Sequence, residues 1–240
     1  MIEKTKGIIV KTTKYSETSL VVKIFTEAFG MRTYMVKGVR KRKTRTPLSL
    51  FQPLSILDLV VYEKVGRDIQ NVKDVKFNHI YTDILYNIKK SSILIFLNEL
   101  IYKAIKEEEP NSQMFQYIYH SLIYLDKLEV GYQNFHLAFM LQLSRYLGFS
   151  PSHNFSSQHP AFNMQEGHYT SLKLHESLSI QPPYAQFFYE LSRSKNFGID
   201  LKITYIERQT LIRKILQYYQ MQLPGFDHIK SLDVLSEVLK

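Results

Sequence analysis

"GIIVKTTKYSETSLVVKIFTEAFGMRTYMVK", residues 7–37, contains three short runs in which β-branched and aromatic residues dominate: 7–13, 20–26 and 31–37. Polar turn chemistry separates the runs, and Gly30 can supply the positive φ that closes a tight hairpin between the second and third. Two further runs of the same kind come next, "LSILDLVVYE" (54–63) and "IQNVKDVKF" (69–77), on either side of a turn at Gly66. Five strands within 80 residues leave no room for crossover helices, so antiparallel connections are expected. The expected fold class is α+β in two domains. A five-stranded antiparallel OB-type β-barrel over 1–80 comes first, with an SH3-like barrel as the alternative.

Past residue 80 the apolar period changes from two to 3.6. Ile84, Leu85, Ile88, Ile95, Leu97, Leu100, Ile101 and Ile105 fall at helical spacing until "KEEEP" ends the run at Pro110, and Ser112 is placed to cap the next helix. "QNFHLAFMLQLSRYLGF" (133–149) is apolar on nearly every side and reads as a central buried helix. Residues 150–182 are polar and irregular, and helical patterning returns at 184–194, 204–222 and 231–239. The second domain, 81–240, is therefore read as all-helical with one long excursion.

The net charge of +9 is unevenly spread. Residues 1–80 hold 16 Lys/Arg against 7 Asp/Glu, and residues 81–240 hold 15 of each. Such asymmetry points to a first domain that meets a polyanion. The charge is densest in the connection between the third and fourth strands, where Lys37, Arg40, Lys41, Arg42, Lys43 and Arg45 occupy six of nine positions. Like charges this close repel, and a plain connector gains nothing from them. A localisation tag needs an extended accessible segment, whereas this one is pinned by strands at both ends. A lipid-binding patch needs an amphipathic companion helix, and none adjoins it. Nucleic acid is the partner that fits best, with the six cations as candidate phosphate contacts. Tyr15, Phe25, Phe29, Tyr34 and Phe51 are candidates for stacking on bases, although a small barrel also needs large residues inside.

Other chemistries are not visible. There is no cysteine, so disulfides and thiolate zinc sites are excluded. His153, His159, His168 and His175 fall in the irregular excursion, but a structural zinc site built from four histidines would be unusual. No phosphate-loop, nucleophile-elbow, HExxH or dinucleotide motif occurs, so neither an enzyme nor a cofactor is expected. The start, "MIEKTKGIIVKTTKY", lacks the apolar core of a signal peptide, and "SSILIFLNELIYKAI" is broken by Asn98, Glu99 and Lys103. A soluble protein is expected.

The order of these features resembles the RecO family of bacterial recombination mediators. The resemblance is carried by Tyr15, Glu17 and Ser19 in the first turn, by Phe25, Thr26 and Gly30, and by Lys37, Gly38, Arg40, Lys41 and Lys43. It continues in "FHLAFMLQLSRYLGFSP", "FNMQEGHYT" and "LIRKILQYYQMQLPGFDHIKSLDVL", and so spans nearly the whole chain. It implies a cytoplasmic, nucleoid-associated protein that binds single- and double-stranded DNA and anneals complementary strands. It also implies a RecR-like clamp partner and the loading of RecA on DNA coated by single-stranded-DNA-binding protein, whose acidic tail docks on the helical domain. Two departures stand out. The four zinc-binding cysteines that some members carry at about 150–175 are absent. Asn134, Phe135 and His136 replace a frequent Arg-Phe-Glu, which leaves Arg145, Arg208 and Arg213 as candidate tail-binding cations. The alternative from another class is a protein-binding adaptor whose basic loop grips an acidic partner. A nucleic-acid-processing enzyme ranks third, for want of a carboxylate or histidine cluster.

Overall fold

The structure, a computed structural model, describes residues 1–39, 46–106, 109–171 and 174–240. It divides into two compact units, Met1–Lys127 and Leu128–Lys240.

In the first unit, β1 (Ile2–Lys14), β2 (Leu20–Thr26), β3 (Gly30–Val36), β4 (Ile56–Tyr62) and β5 (Ile69–His79) close a barrel in the order β1-β2-β3-β5-β4. This is the OB-type order expected from the strand spacing. One seam departs from the expectation of antiparallel pairing throughout. Thr33, Tyr34 and Met35 of β3 run parallel to Ile69, Gln70 and Asn71 of β5. The reason is topological: the chain leaves β3 to pair β4 with β1, so the strand that returns from β4 must run in the direction of β3.

The hairpin at Gly30 forms as its sequence requires, with φ 67° at the glycine. Thr26 Oγ1 donates to the Gly30 carbonyl at 2.9 Å and accepts from Phe29 N at 3.1 Å, which ties the turn together. Ile9, Val22, Ile24, Tyr34, Leu57, Leu59 and Val61 fill the barrel, joined by Leu50 and Phe51 from a 3-10 turn at Leu48–Phe51. The packing is close enough that a Cβ added at Gly7 would lie 2.6 Å from both Ile24 Cγ2 and Leu59 Cδ1.

In β1, Ile8 and Val10 are as buried as Ile9. Alternation fails there because α1 (Ile88–Ala104) packs on β1 from outside the barrel, and α2 (Ser112–Lys127) reaches Phe25 of β2. The Phe25 ring lies 5.8 Å from that of Phe115 on α2. Ile84 and Leu85 precede α1 rather than belonging to it, since Asn87 caps the helix by accepting from Lys89 N and Lys90 N. The turn before it is held by Asp126 of α2. That carboxylate accepts from Thr82 N (3.0 Å), Asp83 N (3.0 Å), Ile84 N (2.9 Å) and His79 Nε2 (3.1 Å). Burial raises the Asp126 pKa, but the backbone donors and His79 outweigh that and hold it below the ordinary carboxylate value. At α2, Asn111 Oδ1 accepts from Met114 N at 2.9 Å and does the capping expected of Ser112, one residue away.

The second unit is built around α3 (Phe135–Tyr146), in which Phe135 through Leu141 are all buried. The helices α4 (Tyr184–Arg193), α5 (Tyr205–Gln222) and α6 (Leu232–Val238) fall where the periodicity placed them. The excursion at 150–182 contains a small sheet in the order β7-β6-β8, from β6 (Ala161–Asn163), β7 (His168–Thr170) and β8 (Ser179–Ile180). Its core is aromatic: the Phe162 ring lies 4.9 Å from Tyr169, 4.6 Å from Phe188 and 5.3 Å from Tyr218. Tyr218 also donates its hydroxyl to the Phe149 carbonyl at 2.6 Å, fastening the chain just after α3 to α5. Among the described residues no group of His, Asp and Glu could hold a metal ion, and no helix is long and apolar enough to cross a membrane.

Candidate nucleic-acid interface

The β3–β4 connection is rooted in the barrel at both ends. Val39 is buried, and its backbone N–H donates to the Thr18 carbonyl of the β1–β2 loop at 2.9 Å. On the far side Leu50 and Phe51 enter the core, and Thr12 Oγ1 of β1 donates to the Phe51 carbonyl at 2.8 Å. Lys37 is exposed, and Gly38 turns the chain beside it at φ 76°. Arg40, Lys41, Arg42, Lys43 and Arg45 lie outside the described residues. The fold thus joins the roots of the basic connection to the β1–β2 loop, where Tyr15 is 68% exposed. Phe25, Tyr34 and Phe51 are core residues and Phe29 is half-buried, so Tyr15 alone of the five candidates offers an exposed ring.

Tyr34 shows why burial wins for these aromatics. It fills the barrel centre while its hydroxyl donates to Glu63 Oε1 at 2.6 Å. Burial, followed by the Glu63 contact, raises its pKa far above the ordinary phenol value.

The fold also brings together three residues that sequence reasoning did not single out. Lys11 of β1 and Lys23 of β2 are direct cross-strand partners, and both ammonium groups lie over the ring of Tyr102 from α1, 4.7 and 5.6 Å from its centre. Lys11 Nζ donates to the Tyr102 hydroxyl at 3.0 Å. The charge-density signal missed them because they are far apart in sequence and become neighbours only through the β1–β2 register.

The three candidate tail-binding cations have different surroundings. Arg208 is buried in the second unit, with its guanidinium donating to Asn134 Oδ1 (3.2 Å), the Ile203 carbonyl (3.2 Å) and the Leu239 carbonyl (3.4 Å). Arg145 is exposed in the last turn of α3. Arg213 is exposed on α5 and lines a groove of about 820 Å³ between α5 and the C-terminal segment. Neither Arg145 nor Arg208 lines that groove, whose other charged residues include Asp227, Asp233 and Glu237.

The chain matches two family descriptions in succession, Recombination protein O N terminal over residues 1–81, which is the barrel, and Recombination protein O C terminal over 85–158. It is 35% identical over 243 residues to the DNA repair protein RecO of Bacteroides fragilis, covering 99% of both chains. It is 36% identical over 247 residues to that of Azobacteroides pseudotrichonymphae, again over 99% of both. With the RecO protein of Flavobacterium johnsoniae it shares 35% over 240 residues, 98% of each. A closed five-stranded barrel at the matched N terminus, helices in the sequence that follows it and similarity over 98–99% of the chain at this level place the chain in the RecO family of DNA repair proteins.

Proposed function

We propose that this protein is a DNA-binding recombination mediator. It holds single- and double-stranded DNA on the barrel, anneals complementary strands and, with a RecR-like clamp, helps to load RecA on DNA coated by single-stranded-DNA-binding protein. The observation that carries the reading is the placement of the whole charge excess in the first 80 residues of a RecO-family chain. Cations at 37–45, with loop roots fixed by Val39, Leu50 and Phe51, give an electrostatic grip that needs no base recognition. The exposed Tyr15 ring beside those roots supplies a stacking surface indifferent to base identity.

Annealing rests on the same physics. Two strands repel through their phosphates, and cations between them lower that repulsion without covalent chemistry. No catalytic group is required, and the protein acts as a mediator rather than an enzyme. The near-neutral remainder suits protein docking. Of the candidate cations for an acidic tail, Arg213 and Arg145 have free access, whereas Arg208 serves internal acceptors.

The test is annealing of complementary oligonucleotides precoated with the cognate coating protein. Addition of this protein should accelerate duplex formation well above the coated control. No acceleration, together with no retention of bare oligonucleotide at about 0.15 M salt, would reject the mediator in favour of an adaptor that grips an acidic partner.

A further inference from the structure

We propose that Lys11, Lys23 and Tyr102 form a phosphate-binding site on the outer face of the barrel, taking a strand phosphodiester or a free phosphate. The strand form of the site rests on the DNA-binding reading above.

Sheet energetics disfavour the arrangement of the two lysines. Lys11 and Lys23 sit directly opposite each other on antiparallel strands, and like charges in that relation repel. Some other lysines of this unit do have carboxylates at hand, Lys76 at 3.6 Å from Asp58 and Lys103 at 3.1 Å from Glu99. Lys6 lies over the Tyr119 ring in a comparable way, but the groove it lines also contains Glu27, Asp58 and Asp74. Among the described residues, no carboxylate pairs with Lys11 or Lys23.

The pairing depends on an irregularity in β1. Ile9 opposes Ile24, yet Lys11 opposes Lys23, so the register shifts at Val10. Without that bulge Lys11 would oppose Val22, whose side chain is fully buried in the barrel core. The extra residue re-aims Lys11 to the face that carries Lys23 and Tyr102. Bulges commonly serve such re-aiming next to functional sites.

Tyr102 completes a set of donors. Its hydroxyl oxygen accepts from Lys11 Nζ, so its own hydrogen is left to donate outward. The Lys11 hydrogen bond, against the opposing effect of burial, lowers the Tyr102 pKa from its ordinary value, which makes the hydroxyl a stronger donor. Two ammonium groups and one phenol converge with no anion among them. A phosphate oxygen pair would take the charge-assisted donors and relieve the lysine repulsion in one step. Lys11 is exposed while Lys23 and Tyr102 are half-buried, so the site is open yet its ring is held in place.

Lys11→Gln/Lys23→Gln and Tyr102→Phe, made in the full chain, separate a site from a structural clamp. Binding of an oligo-dT strand would be followed by anisotropy across a salt series. For the double variant the log–log salt slope should become shallower by about 1.4, so a tenfold rise in salt costs the wild type about 25-fold more affinity than the variant. Its thermal midpoint should stay level or rise, because a repulsive pair has been removed. Tyr102→Phe keeps the ring and should weaken binding with the midpoint unchanged. Inorganic phosphate, compared with chloride at equal ionic strength, is the second arm. A wild-type midpoint raised by phosphate, and not raised in the double variant, supports the site as one for the free anion. A double variant that melts lower but binds oligo-dT and phosphate as the wild type does overturns the inference and leaves a structural clamp. If at the same time an Ala variant of Arg40–Lys43 loses oligonucleotide binding, the DNA reading stands without this site. If that variant also binds normally, both fail.

Discussion

His136 and Arg208 lie close together inside the second unit, and each is there on terms set by burial. His136 is fully enclosed, and that enclosure, with the Arg208 guanidinium nearby, pushes its pKa down to about 3. The imidazole is therefore neutral in the folded protein at any ordinary pH. In the unfolded chain the same group titrates near 6.5, so between the two values the unfolded state binds the additional proton. The contribution is complete above about pH 6.5 and is lost as pH falls, at up to about 1.4 kcal/mol per unit. Between pH 7 and 5 this single group should cost about 2 kcal/mol of stability. His136→Gln removes the titration, and urea midpoints at the two pH values should then differ by less than they do for the wild type. An unchanged difference would show that the imidazole titrates alike in both states. Arg208 explains why a cation chosen from sequence as a surface ligand can be an internal brace. Its fork reaches Asn134, Ile203 and Leu239, three points far apart in the chain that the unit must bring together.

At the scale of elements, the sheet at 161–180 shows how this chain manages without thiolate ligands. Phe162 is fully buried, and its ring meets Tyr169, Phe188 and Tyr218 from β7, α4 and α5. Phe162→Ala removes the common member of these contacts and should cost about 3–5 kcal/mol. In a denaturant titration this would appear as a lowered midpoint, whereas chelators should leave the wild-type midpoint where it is. A loss under about 1 kcal/mol would mean that the aromatic cluster does not hold the sheet. The sheet was not legible as strands in the sequence because each strand has only two or three residues, too few to set up an alternation. The barrel strands were legible, since seven or more residues alternate or pair around Gly30 and Gly66. The parallel β3–β5 seam was hidden because it arises from the closure of the whole barrel, not from any local pattern. The same contrast holds for the site. A basic run is visible in one dimension, but Lys11, Lys23 and Tyr102 meet only through a bulged register and a packed helix.

For the molecule as a whole, the decisive property is a charge excess confined to one third of the chain. A chain with a uniform +9 would attract polyanions diffusely, whereas this one focuses the attraction on the barrel and leaves the rest near neutral. Salt dependence turns that difference into a measurement. Six cations at 37–45 that each displace a counterion from single-stranded DNA would give a slope of roughly −4 in log affinity against log salt. Arg40→Ala, Lys41→Ala, Arg42→Ala and Lys43→Ala together remove four of them, and the slope should become shallower by about 2.8. Affinity at low salt should fall by at least about tenfold. Stability should hardly change, because the anchors of this connection are Val39, Leu50 and Phe51, which the variant retains. Annealing should fall with affinity, while docking of protein partners on the neutral helical body should persist. A variant with the wild-type slope and affinity would move the DNA-binding surface away from this connection to another face of the barrel.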